Sequence, residues 1–197
     1  MKKEFIFDLG RVLVTFDVDQ MLNTITQDET CKSSLKQFYF GSLWNDYDRG
    51  DYSLEQMIDM GIRKFPQHQQ EIELLMNTWV KHLCLIPSTF QLLKSLHNQG
   101  HRIFILSNLP KQAFDYLYEQ EEIKPWLERG VYSYQERINK PDLRLYQILL
   151  DKYSIQANNA IFIDDRKENV DAAKKLGLET IQCLDTNQLE NKVRELL

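Results

Sequence analysis

The sequence has few cysteines and no long apolar segment. Three of its 197 residues are cysteines, an odd number with no Cys-x-x-Cys pair, which argues against a disulfide framework or a zinc site and favours a reducing compartment. No apolar run is long enough to cross a bilayer. Asp8 and Arg11 interrupt the apolar stretch near the start, so a signal peptide is not predicted. We therefore expect a cytoplasmic protein without a membrane partner.

Positive charge is also scarce. The chain has 24 Lys and Arg residues against 29 Asp and Glu, for a formal net charge of −5, and no basic run indicates nucleic acid as a partner. An anionic substrate would need local positive charge from a lysine, a helix N-terminus or a metal ion. The length and the 43% hydrophobic content are those of a globular chain with one core and room for a small insert.

Short apolar runs alternate with segments of helical periodicity along most of the chain. The runs that read as strands are residues 5–8, 102–106, 130–133, 160–163 and 180–183. Such alternation predicts an α/β fold, a Rossmann-like doubly wound parallel sheet with helices on both faces. From 17 to 85, apolar residues recur at helical spacing instead, and Ser53 with Gln56 forms a capping-box pattern. We predict an α/β core of residues 1–16 plus 86–197 and a small inserted helical cap at 17–85.

Polar residues with useful chemistry follow three of the predicted strands or precede a helix that begins with proline. These residues are Asp8, Ser107, Asn108, Lys140, Asp164 and Asp165. Because active sites of open parallel sheets lie beyond the carboxyl ends of the strands, we expect these side chains to meet at one edge.

The residue types at this edge suit hydrolysis of a phosphate ester. The Asp8 carboxylate can attack phosphorus and form an aspartyl-phosphate. Since an anion and a phosphate repel each other, we expect Mg²⁺ as a cofactor, held by carboxylates of Asp8 and Asp165. Asp164 would be a further ligand or would lie directly behind the ligands. Lys140 can neutralise the remaining phosphate charge. Ser107, with Asn108 and the N–H groups of the following turn, can bind phosphate oxygens.

Four further residues are weaker candidates. Asn169, one helical turn beyond Asp165, would orient a ligand of the metal, or it would simply lie on the helix surface. Arg11, beside the proposed nucleophile, would contact substrate or solvent. Trp44 and Tyr47 are aromatic residues among polar neighbours of the predicted cap and would shape a substrate pocket, although such residues more often pack a small helical core.

Four sequence segments occur in the order that is typical of a known superfamily. They are residues 7–13, 106–108, 139–142 with Tyr146 downstream, and 162–165 continued through Asn169 to Gly177. These segments resemble the four motifs of the haloacid dehalogenase-like hydrolases, and residues 17–85 resemble their helical cap. The resemblance implies a Mg²⁺-dependent phosphatase that acts on a small phosphorylated metabolite. It also implies that the carbonyl of Gly10 is a metal ligand.

Gly10 departs from the pattern of this superfamily. Its phosphatases usually carry an Asp two residues after the nucleophile, and that side chain serves as general acid and base; Gly10 keeps the carbonyl but offers no proton. The missing proton donor would slow hydrolysis least for a phosphate ester with a good leaving group. The first and fourth motifs are also similar to bacterial α-D-glucose-1-phosphate phosphatases with the same Asp-Leu-Gly pattern, so we expect a sugar 1-phosphate as substrate. The alternatives are a metal-independent 2-haloacid dehalogenase and a catalytically silent binding protein.

Overall fold

The computed structural model describes residues 2–197, and this part of the chain forms one five-stranded sheet with helices around it. The strands are β1 (Glu4–Phe7), β2 (Arg102–Ser107), β3 (Gly130–Tyr132), β4 (Ala160–Asp164) and β5 (Glu179–Gln182). All neighbouring strands are parallel, in the order β3-β2-β1-β4-β5. The chain runs outward from β1 to β3 on one side and then crosses to β4 and β5 on the other. The predicted doubly wound parallel α/β fold is confirmed.

The central strands are apolar on both faces because helices cover both sides of the sheet. Every residue of β1 and β4 is buried. Successive side chains of a strand point to opposite faces, so Phe5 and Phe7 enter one hydrophobic cluster while Ile6 enters the other. The sheet therefore lies between two layers of core.

Five α-helices lie between β1 and residue 86. They are α1 (Val18–Ile25), α2 (Glu29–Tyr39), α3 (Ser42–Asp48), α4 (Leu54–Lys64) and α5 (Gln69–Thr78). The capping box predicted at Ser53 and Gln56 is confirmed, because each residue bonds the other's backbone N–H through its side chain. The two ends of this helical segment run side by side, with Val14 and Leu85 paired in an antiparallel bridge. The division into a core and a cap at 17–85 stays a prediction.

Seven α-helices belong to the part of the chain that follows. They are α6 (Pro87–Asn98), α7 (Lys111–Tyr118), α8 (Lys124–Leu127), α9 (Ser133–Glu136), α10 (Leu143–Tyr153), α11 (Lys167–Lys175) and α12 (Leu189–Arg194). The strand predicted at 130–133 ends one residue early, because Ser133 begins α9. Among residues 2–197, no helix is both long enough and apolar enough to cross a membrane.

Candidate active site

The carboxyl ends of β1, β2 and β4 meet at one edge of the sheet. Phe7 pairs with Ile105 of β2 and with Ile163 of β4, and the backbone N–H of Asp8 donates to the carbonyl of Ile163 at 2.9 Å. Asp8 therefore leaves the central strand between the ends of its two neighbours. The sequence-based expectation that the polar residues of these strand ends lie together agrees with this register.

One carboxylate oxygen of Asp8 is held by three donors. Its Oδ1 accepts from the backbone N–H of Leu9 at 2.7 Å and from Ser107 Oγ at 2.8 Å, and it lies 2.9 Å from Lys140 Nζ. Within residues 2–197, nothing donates a hydrogen bond to the other oxygen, Oδ2. The Asp8 carboxylate is thus fixed in orientation by one oxygen while the other stays available for chemistry.

Lys140 is buried between two carboxylates. Its Nζ lies 2.9 Å from Asp8 Oδ1 and 2.7 Å from Asp164 Oδ2, and it donates to the carbonyl of Leu106 at 2.8 Å. Burial alone would lower the pKa of Lys140, but the charges of Asp164 and Asp8 outweigh burial and raise this pKa above its usual value. The lysine therefore stays charged at neutral pH.

Three carboxylates surround this lysine and repel one another. Burial raises the pKa of Asp8 against the charge of Lys140, and Asp164 and Asp165 raise it further. Each of the three aspartates offers one carboxylate oxygen, and these oxygens lie within 4.8 Å of one another. Hard oxygen donors carrying excess negative charge are the set that Mg²⁺ prefers. The donor set therefore fits the metal that the sequence predicts.

Asp164 and Asp165 have different surroundings. Asp164 is fully buried and accepts from Lys140 Nζ and from the Arg166 N–H. Asn169 Nδ2 donates to both of its oxygens, at 2.9 Å to Oδ1 and 3.1 Å to Oδ2. Asp165 lines the cavity above the sheet edge, with Arg11 Nη1 3.9 Å from its Oδ2. Asp165 is thus the more accessible of these two predicted metal ligands, whereas Asp164 holds Lys140 and Asn169 in place.

The turn after Asp8 does not require glycine at position 10. The left-handed residue of this turn is Arg11, with φ 59°, and the backbone of Gly10 lies outside that region. A Cβ added at Gly10 would meet no heavy atom within 4 Å. Neither backbone conformation nor crowding at the Cβ position therefore requires glycine here.

A cavity of about 330 Å³ opens above the sheet edge. Its charged and polar lining contains the predicted residues Asp8, Gly10, Arg11, Ser107, Asn108, Lys140, Asp165 and Asn169. Its apolar lining consists of Leu9, Val14, Phe16, Val18, Phe40, Trp44, Trp79, Leu83, Leu109, Pro110, Ala113 and Leu117. Phe40 stacks on Trp44 with ring centroids 4.5 Å apart, and Trp44 packs edge-on against Trp79 at 4.9 Å. Four packed rings, those of Phe16, Phe40, Trp44 and Trp79, therefore form an aromatic wall of the cavity.

Two predicted substrate contacts have other roles. Tyr47 does not line the cavity, which corrects the sequence-based expectation: its hydroxyl is buried and donates to Gln112 Oε1 at 2.8 Å, so it packs the proposed cap against α7. Asn108 does line the cavity, but its amide bonds the backbone N–H and carbonyl of Lys140 at 2.8 and 3.0 Å. The side chain of Asn108 thus fixes the loop that carries the lysine.

Asp48, the last residue of α3, is a residue of the site that the sequence did not predict. This aspartate is 8% exposed and lines the cavity. Burial and the charge of Asp8 raise the pKa of Asp48 well above its usual value, against the lowering effect of Arg166 and Lys140. A sequence signal was present, because Trp44 and Asp48 are four residues apart and therefore share one face of a helix.

Comparison with known proteins adds three likenesses. The profile of the haloacid dehalogenase-like hydrolase family matches residues 14–183. The sesquiterpene phosphatase astK of Aspergillus oryzae is 27% identical over 199 residues, covering 99% of this chain and 96% of that protein. The (S)-2-haloacid dehalogenase 4A of Burkholderia cepacia is 24% identical over 102 residues, covering 52% of this chain and 44% of that protein.

A solved structure shares the fold. It is a HAD family enzyme from Bacteroides thetaiotaomicron in complex with magnesium and inorganic phosphate, with a TM-score of 0.73, 20% identity, and coverage of 92% of this chain and 93% of that chain. The family profile covers most of the sequence, and the strand-end site carries the four motifs in order. The chain therefore belongs to the haloacid dehalogenase-like hydrolases.

Proposed function

We propose that this protein is a magnesium-dependent phosphomonoester hydrolase with Asp8 as its nucleophile. The observation that carries the proposal is the environment of Asp8: three donors hold Oδ1 and leave Oδ2 available, and Lys140 stands beside a trio of converging carboxylates. Two likenesses support it. One relative is named a sesquiterpene phosphatase, and the solved Bacteroides enzyme is a complex with magnesium and inorganic phosphate.

The reaction proceeds in two displacements at phosphorus. Oδ2 of Asp8 attacks, the bond from phosphorus to the leaving oxygen breaks, and an aspartyl-phosphate forms. Lys140 and Ser107 keep the carboxylate oriented, and the lysine offsets negative charge on the transferring group. The carboxylates of Asp8 and Asp165 and the carbonyl of Gly10 would hold Mg²⁺, which neutralises phosphoryl charge when bound. Water then attacks phosphorus, releasing inorganic phosphate and the free carboxylate.

The carboxylate cluster favours this function over the two alternatives. A metal-independent dehalogenase needs one nucleophilic carboxylate, and two further carboxylates within 4.8 Å would only oppose its ionisation. A catalytically silent binding protein does not require a carboxylate at Asp8 that is held by one oxygen with the other oxygen available. The dehalogenase stays an alternative for two reasons. One relative carries that name, and Gly10 has no side chain that could donate a proton to a leaving alcohol.

The cavity lining favours a small phosphorylated metabolite with an apolar leaving group. A sugar presents hydroxyls that need hydrogen-bond partners when they are buried. The wall that faces the leaving group offers instead the rings of Phe16, Phe40, Trp44 and Trp79 with aliphatic neighbours. The name of the Aspergillus relative, a sesquiterpene phosphatase, points the same way. A sugar 1-phosphate, expected from the sequence, stays as the second candidate.

A substrate panel tests the function. The purified protein is assayed for phosphate release from p-nitrophenyl phosphate, phosphates of apolar alcohols and sugar 1-phosphates, and for halide release from 2-haloacids, with Mg²⁺ or with EDTA. We expect phosphate release that requires Mg²⁺, is greatest for apolar esters and is lost in Asp8→Asn. Halide release that is indifferent to EDTA would establish the dehalogenase instead.

A further inference from the structure

The proposed reaction lacks a proton donor at the usual position. The leaving oxygen must gain a proton when its bond to phosphorus breaks, and Gly10 has no side chain to provide one. Among the residues described as lining the cavity there is no histidine, cysteine or tyrosine. Its arginines stay protonated at any working pH, and Lys140 is held between two carboxylates. The donor must therefore be sought among the carboxyl groups.

Three aspartates line the cavity, and two of them already have roles. Asp8 is the proposed nucleophile, and Asp165 is the accessible member of the proposed metal site. Asp48 is the third, and it comes from a different part of the chain, the end of α3. Its side chain is more than nine-tenths buried, and within residues 2–197 nothing donates a hydrogen bond to its carboxylate. Asp48 is thus a buried, unpartnered carboxyl group facing the reaction cavity.

The position of Asp48 is set by the core. Ser133 Oγ, at the start of α9, donates to the backbone carbonyl of Asp48 at 2.5 Å. The same hydroxyl accepts from the backbone N–H of Leu109, in the loop after β2, at 2.9 Å. The end of α3 is therefore tied to the loop that follows Ser107 and Asn108. These two hydrogen bonds fix Asp48, a residue of the proposed cap, relative to the strand-end residues.

The electrostatic surroundings suit a group that carries a proton. Burial disfavours the charged form of Asp48 most strongly, and the charge of Asp8 adds to this effect, whereas the cations Arg166 and Lys140 oppose it. These effects raise the pKa of Asp48 and so favour its acid form, which is the form that a proton donor needs.

We propose that Asp48 is the general acid and base of this enzyme, in place of the side chain that Gly10 lacks. In the first displacement the Asp48 carboxylic acid gives its proton to the leaving oxygen, so an alcohol departs while the aspartyl-phosphate forms on Asp8. In the second, the Asp48 carboxylate takes a proton from the attacking water. The phosphorus–Asp8 bond then breaks, phosphate leaves, and both groups return to their starting states.

This inference rests on the proposed function, and leaving groups of different acidity test it. Asp48→Asn is compared with wild type on p-nitrophenyl phosphate, whose leaving group needs little protonation, and on an alkyl phosphate, whose leaving group needs it. General acid catalysis contributes about 10²–10⁴-fold. We expect kcat/KM of Asp48→Asn to fall by about 10²-fold or more for the alkyl ester, and by less than about tenfold for the nitrophenyl ester.

Two further variants separate catalysis from structure. Asp46→Asn removes a carboxylate of the same helix that pairs with Arg49 and does not line the cavity. It should therefore leave kcat/KM unchanged for both esters. Gly10→Asp in the Asp48→Asn background should restore turnover of the alkyl ester, because it returns a carboxyl group to the usual position and a Cβ there meets no heavy atom within 4 Å. Equal losses on both esters in Asp48→Asn, or no rescue by Gly10→Asp, would overturn the assignment while leaving the phosphatase intact.

A measurement on wild type covers the case in which Asp48→Asn does not fold. Across a series of aryl phosphates, a proton donor makes kcat/KM depend weakly on leaving-group acidity, and we expect such a shallow slope. A steep slope in wild type would overturn the role of Asp48. Absence of all Mg²⁺-dependent phosphate release in wild type would instead remove the proposed function and this inference together.

Discussion

The ammonium group of Lys140 lies 2.9 Å from Oδ1 of Asp8, and both side chains are buried. A buried ion pair of this kind is costly to break, because the partner that remains has neither water nor a counter-charge. Lys140 also compensates Asp164 at 2.7 Å. Its removal therefore leaves two carboxylates uncompensated at the centre of the site.

We predict that Lys140→Met abolishes phosphatase activity and lowers the free energy of unfolding by about 3–5 kcal/mol. Urea denaturation without Mg²⁺ measures the stability. Adding Asp164→Asn should return part of the lost stability but no activity, since one of the two carboxylates is then neutral. As a control, Lys111→Met breaks an exposed pair with Asp115 and should cost about 0–1 kcal/mol. A fully active Lys140→Met enzyme would exclude a catalytic lysine.

A second prediction concerns the metal. Asp165 lines the cavity, whereas Asp164 is enclosed by Lys140 and Asn169. Asp165→Asn removes charge from the accessible ligand, so we expect the Mg²⁺ concentration for half-maximal activity to rise by about tenfold or more. Titration with Mg²⁺ after EDTA treatment measures it. The control is Asp171→Asn. The Asp171 carboxylate pairs with Lys167 on the surface of α11, so its loss should leave this Mg²⁺ concentration unchanged. An identical Mg²⁺ requirement in Asp165→Asn would place the metal elsewhere.

Much of the site follows from local sequence, and the rest does not. The strand-end rule locates Asp8, Ser107 and Asp165, because each lies at or next to the end of a short apolar run whose partners are fixed by parallel pairing. The strand-end rule does not locate residues of the proposed cap. Whether Tyr47 or Asp48 faces the cavity depends on how α3 docks on the core, through contacts such as Ser133 with Asp48, which are 85 residues apart in sequence.

Gly61 gives a prediction about stability. Replacing a glycine inside a helix with alanine ordinarily raises the free energy of unfolding by about 1 kcal/mol. Here an added Cβ would lie 1.9 Å from Tyr39 Oη, whose hydroxyl is buried and donates to the Met57 carbonyl at 2.9 Å. We therefore predict that Gly61→Ala lowers the free energy of unfolding by about 1–3 kcal/mol.

A double-mutant cycle shows whether this clash is the cause. Tyr39→Phe removes the hydroxyl, so Gly61→Ala should cost less in that background than in wild type. Thermal or urea unfolding of the four proteins measures the coupling. Additive costs, or a stabilised Gly61→Ala, would mean that α4 shifts enough to accept the methyl group.

The aromatic wall leads to a prediction about specificity. Trp44 is stacked on Phe40, lies against Trp79 and faces the cavity. If it contacts an apolar leaving group, Trp44→Ala should lose about 1.5–3 kcal/mol of binding, which lowers kcat/KM about 10–150-fold. The loss should appear with a long-chain alkyl phosphate and be small with ethyl phosphate, which reaches less of the wall. Phe38→Ala is the matched control, because Phe38 packs on Tyr39 and Phe65 away from the cavity, so any loss should be equal for both esters. If Trp44→Ala lowers turnover of a sugar 1-phosphate more than that of the alkyl ester, the wall serves a sugar and the apolar substrate is wrong.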